Sequence, residues 1–246
     1  MKPISTHPFP SLEMELTFVP GSFDQGIAFL ESRGLELATA QQIARCRMAA
    51  HEIGDEHVLN LDCWTSESYV YIPDHKILLT SRECNPIFSN LEAAIEAHRS
   101  FKEFFVDVNP LKQALQKGSV DLKYWDFKNF DEPAKMNSSL ADASRNGVII
   151  LGEMDQQLFL PLQIFKTHPV ARFLYRESLT FYASFLESQG IETVYHSFVP
   201  MNAAQLIGSP FARPVWSVGI SKLADLNGCA PPLVAEHGAV CGIRKI

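Results

Sequence analysis

The sequence predicts a mixed α+β fold, and three of its features support that prediction. The 246 residues are 46% hydrophobic and 20% charged, which is typical of a folded chain that buries a large core. Capped helical segments occur in both halves of the chain. Short runs with alternating apolar and polar residues lie between them and predict antiparallel strands.

The N-terminal part is predicted to form a strand, two helices and an antiparallel meander. Residues 12–18 alternate apolar and polar side chains, as an edge or terminal strand does. Ser22 caps a helix that ends before Gly34, and Thr39 opens a second helix that Gly54 ends. Three β runs follow, at residues 57–64, 68–73 and 76–81, with a tight turn at Asp74-His75 between the last two.

The rest of the chain is predicted to mix helices with strands. Helices are expected from Asn90 to about residue 107, from Pro110, over 169–189 and over 202–207, and strands over 147–151, 156–165 and 191–199. A segment rich in Gly and Pro starts at Ser209 and finishes in a strand over residues 239–246. Because no linker divides the chain, we expect a single domain over residues 1–246, with an N-terminal part (12–81), an inserted α/β region (90–208) and a loop-rich C-terminal region (209–246).

Bulk properties argue against several classes of protein. The net charge of −7 disfavours a nucleic-acid binder, which needs a basic face. No apolar run approaches the roughly 20 residues of a membrane span, and the N-terminal segment lacks the apolar stretch of a signal peptide. The five cysteines are an odd number at irregular spacing, which indicates reduced thiols. We therefore expect a cytoplasmic protein.

Familiar catalytic and phosphate-binding motifs are missing. The sequence contains no P-loop, no G-x-G-x-x-G after a strand, no G-x-S-x-G and no H-E-x-x-H. These absences favour a binding protein over an enzyme, and no cofactor is expected.

Two groups of polar residues give weaker signals for a site. His51 and His57 lie near Asp62 and Cys63, but metal-binding histidines on one helix sit at i,i+4, so solvated helix ends are the favoured interpretation. Arg172 and Arg176 would lie one turn apart on the predicted helix and offer an anion clamp, although a solvated face is favoured there too.

A short pattern near the N-terminus points to a known fold. Gly34, Leu37 and Thr39 form a G-x-x-L-x-T link between the first two helices, and residues 64–66 read W-T-S in a β run. This pattern resembles C-type-lectin-like proteins and the related sulfatase-modifying-factor fold. Ala38 stands where that family usually has proline. The resemblance implies a C-type-lectin-like fold with antiparallel strands, two N-terminal helices and a C-terminal strand that closes on the N-terminus.

The C-terminal tail carries nine spaced residues that we call anchors, because they occupy scaffold positions of a related family pattern. They are Trp216, Ile220, Leu226, Gly228, Leu233, Val240, Gly242, Ile243 and Arg244. They resemble the tails of variable proteins of diversity-generating retroelements in small-genome bacteria, which keep such anchors while the residues between them differ. Apolar anchors and glycines would form a rigid frame that carries loops. The resemblance implies a display protein that binds an unknown protein or other macromolecule through these loops.

Small or polar residues between the anchors form the predicted ligand-binding set: Ser217, Ser221, Ala224, Asn227, Cys229, Ala230, Pro231, Pro232, Ala235 and His237. The resemblance implies mutagenesis that turns AAY codons into NNY codons. NNY codons encode every one of these residue types but neither Lys nor Glu, so Lys222 and Glu236 are left out. The Glu-Pro-Asn and Trp-Asn-Asp sequences of calcium-dependent sugar binding are absent, and that activity is not supported.

Two alternative functions stay open at this stage. The sulfatase-modifying relatives are oxidases that rely on cysteines, and Cys229 and Cys241 lie in the comparable region, so a cysteine-dependent oxidase or hydrolase is one alternative. Cys229, His237 and Cys241 also form a C-x₇-H-x₃-C set that could bind zinc, although a fourth ligand is missing. A zinc-stabilised adaptor is therefore the other.

Overall fold

The computed structural model describes residues 4–72, 76–100, 102–107, 148–151, 158–197, 207–220, 225–227 and 238–246. One sheet joins twelve strands of these residues: β1 (Ser5–Phe9), β2 (Met14–Pro20), β3 (Glu36–Leu37), β4 (Cys63–Ile72), β5 (Lys76–Thr80), β6 (Phe104–Phe105), β7 (Val148–Leu151), β8 (Leu158–Pro161), β9 (Thr193–Ser197), β10 (Phe211–Ser217), β11 (Asp225–Asn227) and β12 (Ala239–Lys245). The helices are α1 (Phe23–Ser32), α2 (Ala40–Ile53), α3 (Glu56–Leu59), α4 (Pro86–Ser89), α5 (Leu91–Arg99), α6 (Leu162–Phe165), α7 (Pro169–Tyr175) and α8 (Leu179–Ser188). The predicted α+β class is confirmed.

The two ends of the chain meet in the sheet. Strand β12 pairs antiparallel with β2, from Ala239 opposite Pro20 to Lys245 opposite Met14. The prediction of a C-terminal strand that closes on the N-terminus is therefore confirmed. The N-terminal strand is not the edge, however, because β1 pairs with the other side of β2.

The two N-terminal helices begin and end where their caps predict. The Thr39 hydroxyl accepts from the Gln42 N–H at 3.1 Å, and the Gln42 side chain accepts from the Thr39 N–H at 2.8 Å. This reciprocal pair satisfies two N–H groups that a helix start otherwise leaves open. Gly34 and Gly54 take positive φ angles of +63° and +72° just after the ends of α1 and α2, a conformation that favours glycine.

The meander is confirmed in part. Strands β4 and β5 pair antiparallel from Ser68 opposite Thr80 to Ile72 opposite Lys76, as a hairpin requires. The predicted turn at Asp74-His75 lies outside the described residues. The first predicted β run, over residues 57–64, is wrong for most of its length. Asp55 accepts hydrogen bonds from the next helical N–H groups and starts α3 there, and β4 begins only at Cys63.

Several predictions for the middle of the chain need correction. The helix expected from Asn90 ends at Arg99, and residues 104–105 form a short strand instead. The run over 156–165 is a strand only to Pro161 and then turns into α6. The long helix expected over 169–189 is broken at Arg176, whose φ of 47° and ψ of −131° are not helical. The helix predicted from Pro110 lies outside the described residues, as does the one over 202–207 apart from Ile207.

The region expected to be a loop-rich tail begins with a full strand. Strand β10 pairs antiparallel with β4, and the register shifts between Pro214 and Trp216. Proline has no N–H to give to the ladder, so a bulge at this point is expected once the segment is a strand. The division of the chain into three parts stays a prediction.

Core residues pack on both faces of the sheet. Neighbouring residues of β4 alternate between two buried clusters, with Cys63 in one and Trp64 in the other. Helices α2, α7 and α8 contribute to the first cluster and helix α1 to the second. None of the helices in the described ranges combines the length and apolar character that crossing a membrane requires.

Candidate functional site

The segment predicted to bind a ligand leaves the sheet beside a pair of buried tryptophans. Trp216 lies opposite Trp64 in the pairing of β10 with β4. The two indole rings meet edge to face, with centroids 4.8 Å apart and planes at 75°. Phe23 from α1 packs on Trp64 in the same way at 5.6 Å. This aromatic cluster gives the start of the segment a rigid base.

Three residues after Trp216, the backbone is fixed again by Gly219. Its N–H donates to a carboxylate oxygen of Asp62 at 2.7 Å. A Cβ atom on Gly219 would lie 2.6 Å from the backbone of Asn60, which is closer than real Cβ atoms approach. Only glycine permits this approach of the two backbones. The path of the chain out of β10 is therefore set by contacts with the segment that precedes β4.

The other end of the segment is fixed at Gly238, just before β12. The Gly21 N–H donates to the Gly238 carbonyl at 2.9 Å. The Gly238 backbone rests on the indole of Trp64, and a Cβ atom there would lie 1.9 Å from Cη2 of that ring. Trp64 thus contacts both ends of the segment, through Trp216 and through Gly238.

The short strand β11 pairs the middle of the segment with the rest of the sheet. In β11, Asn227 lies opposite Trp216 and Leu226 opposite Ser217. The other edge of β11 pairs in parallel with β9. Residues 221–224 and 228–237 lie outside the described residues, so the described part of the segment consists of its two ends and β11.

The structure describes two residues of the predicted ligand-binding set. Ser217 is 2% exposed, and a side chain so buried in β10 cannot contact a ligand at the surface. Asn227 ends β11. The others lie outside the described residues: Ser221, Ala224, Cys229, Ala230, Pro231, Pro232, Ala235 and His237.

Most of the predicted anchors that the structure describes are frame residues. Val240 and Ile243 are buried in β12, and Ile220 packs partly buried against the core. A Cβ atom on Gly242 would lie 2.4 Å from the end of the Leu30 side chain of α1, so a larger residue there would have to displace that side chain. Arg244, in contrast, lies at the surface and pairs with Glu15 at 2.6 Å. Gly228 and Leu233 lie outside the described residues.

Ala38, which stands where the family usually has proline in a Leu-Pro-Thr sequence, makes two backbone hydrogen bonds that the sequence did not predict. The Ala38 N–H donates to the Cys241 carbonyl at 2.8 Å, and the Ala38 carbonyl accepts from the Ser66 N–H at 3.0 Å. Residue 38 therefore links β12 to the W-T-S part of β4. Proline at this position could not donate the first of these hydrogen bonds.

Cys241 does not have the environment of a reactive cysteine. It is fully buried near Cys63 and Cys46. A hydrogen bond with Cys63, together with burial, raises the pKa of Cys241 well above its usual value, and burial raises the pKa of Cys46 to about 12. These thiols stay protonated at neutral pH, and a thiol is a poor nucleophile. Within the described ranges, no group of three or more His, Cys, Asp or Glu side chains is arranged to hold a metal ion.

The other two candidate groups are not brought together as sites. His51 packs against Phe185 of α8, whereas His57 stacks on His7 of β1. The Arg176 N–H still donates to the Arg172 carbonyl, but Arg176 itself has non-helical φ and ψ angles, so the single long helix on which the anion clamp was predicted ends between the two arginines.

Comparisons with known proteins identify the fold. The chain is similar to a solved structure described by the words "accommodation of massive sequence variation in Nanoarchaeota by the C-type lectin fold", with a TM-score of 0.57 and 10% sequence identity. The match covers 98% of this chain and 98% of that one. No family model matches the sequence, and no curated protein matches it significantly. The match at the level of structure confirms that this chain has the C-type lectin fold.

Proposed function

We propose that this chain is a ligand-binding display protein whose binding surface lies within residues 221–237. One observation carries the proposal: the stretch is held at Gly219 by Asp62 and at Gly238 by Gly21 and Trp64. The proposed contacts are Ser221, Ala224, Asn227, Cys229, Ala230, Pro231, Pro232, Ala235 and His237. Ser217 is left out because it is buried.

A rigid frame makes such a surface effective. Binding costs less conformational entropy when the ends of a loop are already fixed in the unbound protein. Here the fixed points include the close backbone approaches at Gly219 and Gly238 and the edge-to-face pair of indoles, none of which uses a side chain from residues 221–237. Those side chains can therefore change without removing the contacts that hold the frame together.

The similar structure supports the same view. That protein is described as accommodating massive sequence variation with this fold. At 10% identity the likeness concerns the fold alone, and we transfer from it only the expectation that this fold tolerates many side chains at one surface. The ligand proposed here is a protein or another macromolecule, because the sequence motifs for calcium-dependent sugar binding are missing and the net charge of −7 disfavours nucleic acid.

Site-specific photo-crosslinking tests the binding surface directly. A photoreactive amino acid is placed at Ala230 or at Ala235 and, as a control, at the exposed Ser32 on α1, and each variant is irradiated in a lysate of the source cells. We expect the same adduct from positions 230 and 235 and none from position 32. Identical adducts from all three positions, or none from the two loop positions, would contradict the proposal.

Sequencing tests whether the surface is diversified. Codons 216–242 of the gene are sequenced deeply across a population of source cells. We expect substitutions at adenines between the anchors, with Trp216, Gly228 and Gly242 unchanged. A uniform sequence would show that this copy is not diversified. The proposal that residues 221–237 bind a ligand would then depend on the crosslinking result.

A further inference from the structure

Ser5, His7 and Asp55 form a hydrogen-bonded relay on the edge strand of the sheet. Ser5 and His7 lie two residues apart on β1, so their side chains share one face of the strand. The His7 Nε2 atom lies 3.0 Å from the Ser5 hydroxyl oxygen. The His7 Nδ1 atom lies 2.6 Å from a carboxylate oxygen of Asp55. A nucleophile, a base and a group that orients the base are thus joined by two successive hydrogen bonds.

The carboxylate decides which ring nitrogen of His7 carries the proton. Burial alone would raise the pKa of Asp55, but hydrogen bonds from the Val58 N–H and from His7 lower it below its usual value. Asp55 is therefore ionised at neutral pH and can only accept hydrogen bonds. In its neutral form His7 can donate to Asp55 only with its proton on Nδ1, and the lone pair of Nε2 then faces Ser5. In this tautomer the Ser5 hydroxyl donates to Nε2, as a general base requires.

The surroundings hold the imidazole in place without closing it off. The ring of His57 stacks on that of His7, with centroids 5.3 Å apart and planes at 11°. Asp55 is itself held by two helical N–H groups, because it is the N-cap of α3. The His7 and Asp55 side chains remain 16% and 20% exposed. A reagent can therefore reach the relay. The geometry of the relay is fixed by the contacts between β1 and the start of α3.

We propose that Ser5 is a nucleophile activated by His7 and oriented through Asp55, and that it transfers acyl groups from esters to water. The Ser5 oxygen attacks the ester carbonyl carbon, and its proton passes to Nε2 of His7. As the C–O bond to the leaving alcohol breaks, Nε2 returns that proton to the alcohol. Water then attacks the acyl-serine with His7 again taking a proton, and the acid and Ser5 are released. No redox partner or metal is needed.

The position of Ser5 indicates the class of substrate. Strand β1 is the first strand of the sheet order and pairs only with β2 among the described strands. Outward backbone N–H groups of an edge strand can bind a carbonyl oxygen or an extended chain. Because such a site offers few donors to the oxyanion, it stabilises the transition state only weakly. It therefore suits esters with a good leaving group better than amides.

An alkyl fluorophosphonate bearing a fluorophore tests the nucleophile. It reacts with an activated serine by forming an O–P bond and releasing fluoride, and mass spectrometry locates the adduct. We expect labelling of Ser5 in the folded protein and none in denatured protein. Ser5→Ala should abolish the labelling, whereas Ser32→Ala, which removes an exposed hydroxyl that donates to the Phe29 carbonyl, should leave it unchanged. Hydrolysis of p-nitrophenyl acetate should follow the same pattern.

Two further variants separate catalysis from structure. His7→Gln should slow labelling about 100-fold, the usual contribution of a general base. Asp55→Asn keeps an N-cap side chain for α3 but lets the proton of His7 move to Nε2, and it should slow labelling by about 100-fold to 10⁴-fold. The ¹⁵N chemical shifts of the imidazole should report this change of tautomer, which a purely structural role of Asp55 would not predict. Equal labelling of Ser5→Ala and the unchanged protein, or an adduct located elsewhere, would overturn the proposal.

Discussion

The backbone of Gly238 lies directly on the indole ring of Trp64, so close that a Cβ atom would come within 1.9 Å of Cη2. Trp64 is completely buried and is also packed against Trp216 and Phe23. The ring therefore has no room to withdraw. This contact fixes the place where the proposed binding segment rejoins the sheet.

Replacing Gly238 with alanine should destabilise the fold. We expect the free energy of unfolding in urea to fall by about 3 kcal/mol, the upper range for an overpacked core position. Gly34→Ala is a matched control, since Gly34 has a positive φ but open space around it, and it should cost only about 1 kcal/mol. Combining Gly238→Ala with Trp64→Phe should cost less than the sum of the two single changes, because the smaller ring leaves room for the methyl group. Strict additivity would show that the two residues do not press on each other.

The link between α1 and α2 offers a second test. Ala38→Pro removes the N–H that donates to the Cys241 carbonyl, and leaving that buried carbonyl short of a partner should cost about 1–3 kcal/mol. Ala38→Gly keeps the N–H and should cost only about 0.5–1 kcal/mol through backbone entropy. Urea unfolding of both variants gives the comparison. A proline variant as stable as the unchanged protein would mean that this link can adopt the Leu-Pro-Thr form without loss.

Local signals in the sequence predicted the parts of the fold that local chemistry determines. Thr39, Gln42 and Gly54 define α2 by themselves, because capping involves residues within one turn. The break at Arg176 has no such signal, because the apolar pattern runs on from α7 into α8 while the backbone of Arg176 leaves the helical conformation. The prolines after Ser209 favoured a loop where the structure has strand β10. A bulge allows Pro214 to lie inside that strand.

The candidate sites show the same limit. Anchors such as Val240 and Ile243 were predictable from their apolar character and from the resemblance. The contact of Asp62 with Gly219 joins residues 157 positions apart, and that of His7 with Asp55 joins residues 48 apart. No periodicity in one sequence encodes such pairs, so they emerge only when the sheet brings the segments together.

Reactivity of the cysteines distinguishes the binding protein from a cysteine-dependent oxidase. Cys46, Cys63 and Cys241 are buried, and the raised pKa values of Cys46 and Cys241 keep those thiols protonated. Iodoacetamide should therefore leave all three unmodified in the folded protein and modify them after unfolding in urea. Mass spectrometry of the digested protein measures each site separately. Rapid alkylation of Cys241 in the folded protein would restore the oxidase as a candidate.

A buried carboxyl group should make the stability of this protein depend on pH. Glu67 is 6% exposed on β4, and both its carboxylate oxygens lie within hydrogen-bonding distance of the Ala40 N–H, at 3.2 and 3.1 Å. Burial raises the pKa of Glu67 from 4.5 to about 7, against the opposing effect of hydrogen bonds from Thr65 and Ala40. In the folded state Glu67 therefore holds its proton at pH values where the unfolded chain has already lost it.

The sign of the effect follows from this difference in bound protons. Between about pH 4.5 and pH 7 the folded state binds more protons than the unfolded chain, so the contribution of Glu67 to stability falls as the pH rises and is lost above pH 7. The loss should amount to roughly 3 kcal/mol across this range. Glu67→Gln, which stays neutral and still accepts from Ala40, should remove this part of the pH dependence, whereas Glu31→Gln on the exposed face of α1 should not. Urea unfolding of the three proteins at several pH values measures the slopes. An unchanged slope in Glu67→Gln would mean that this carboxyl group ionises alike in the folded and unfolded states.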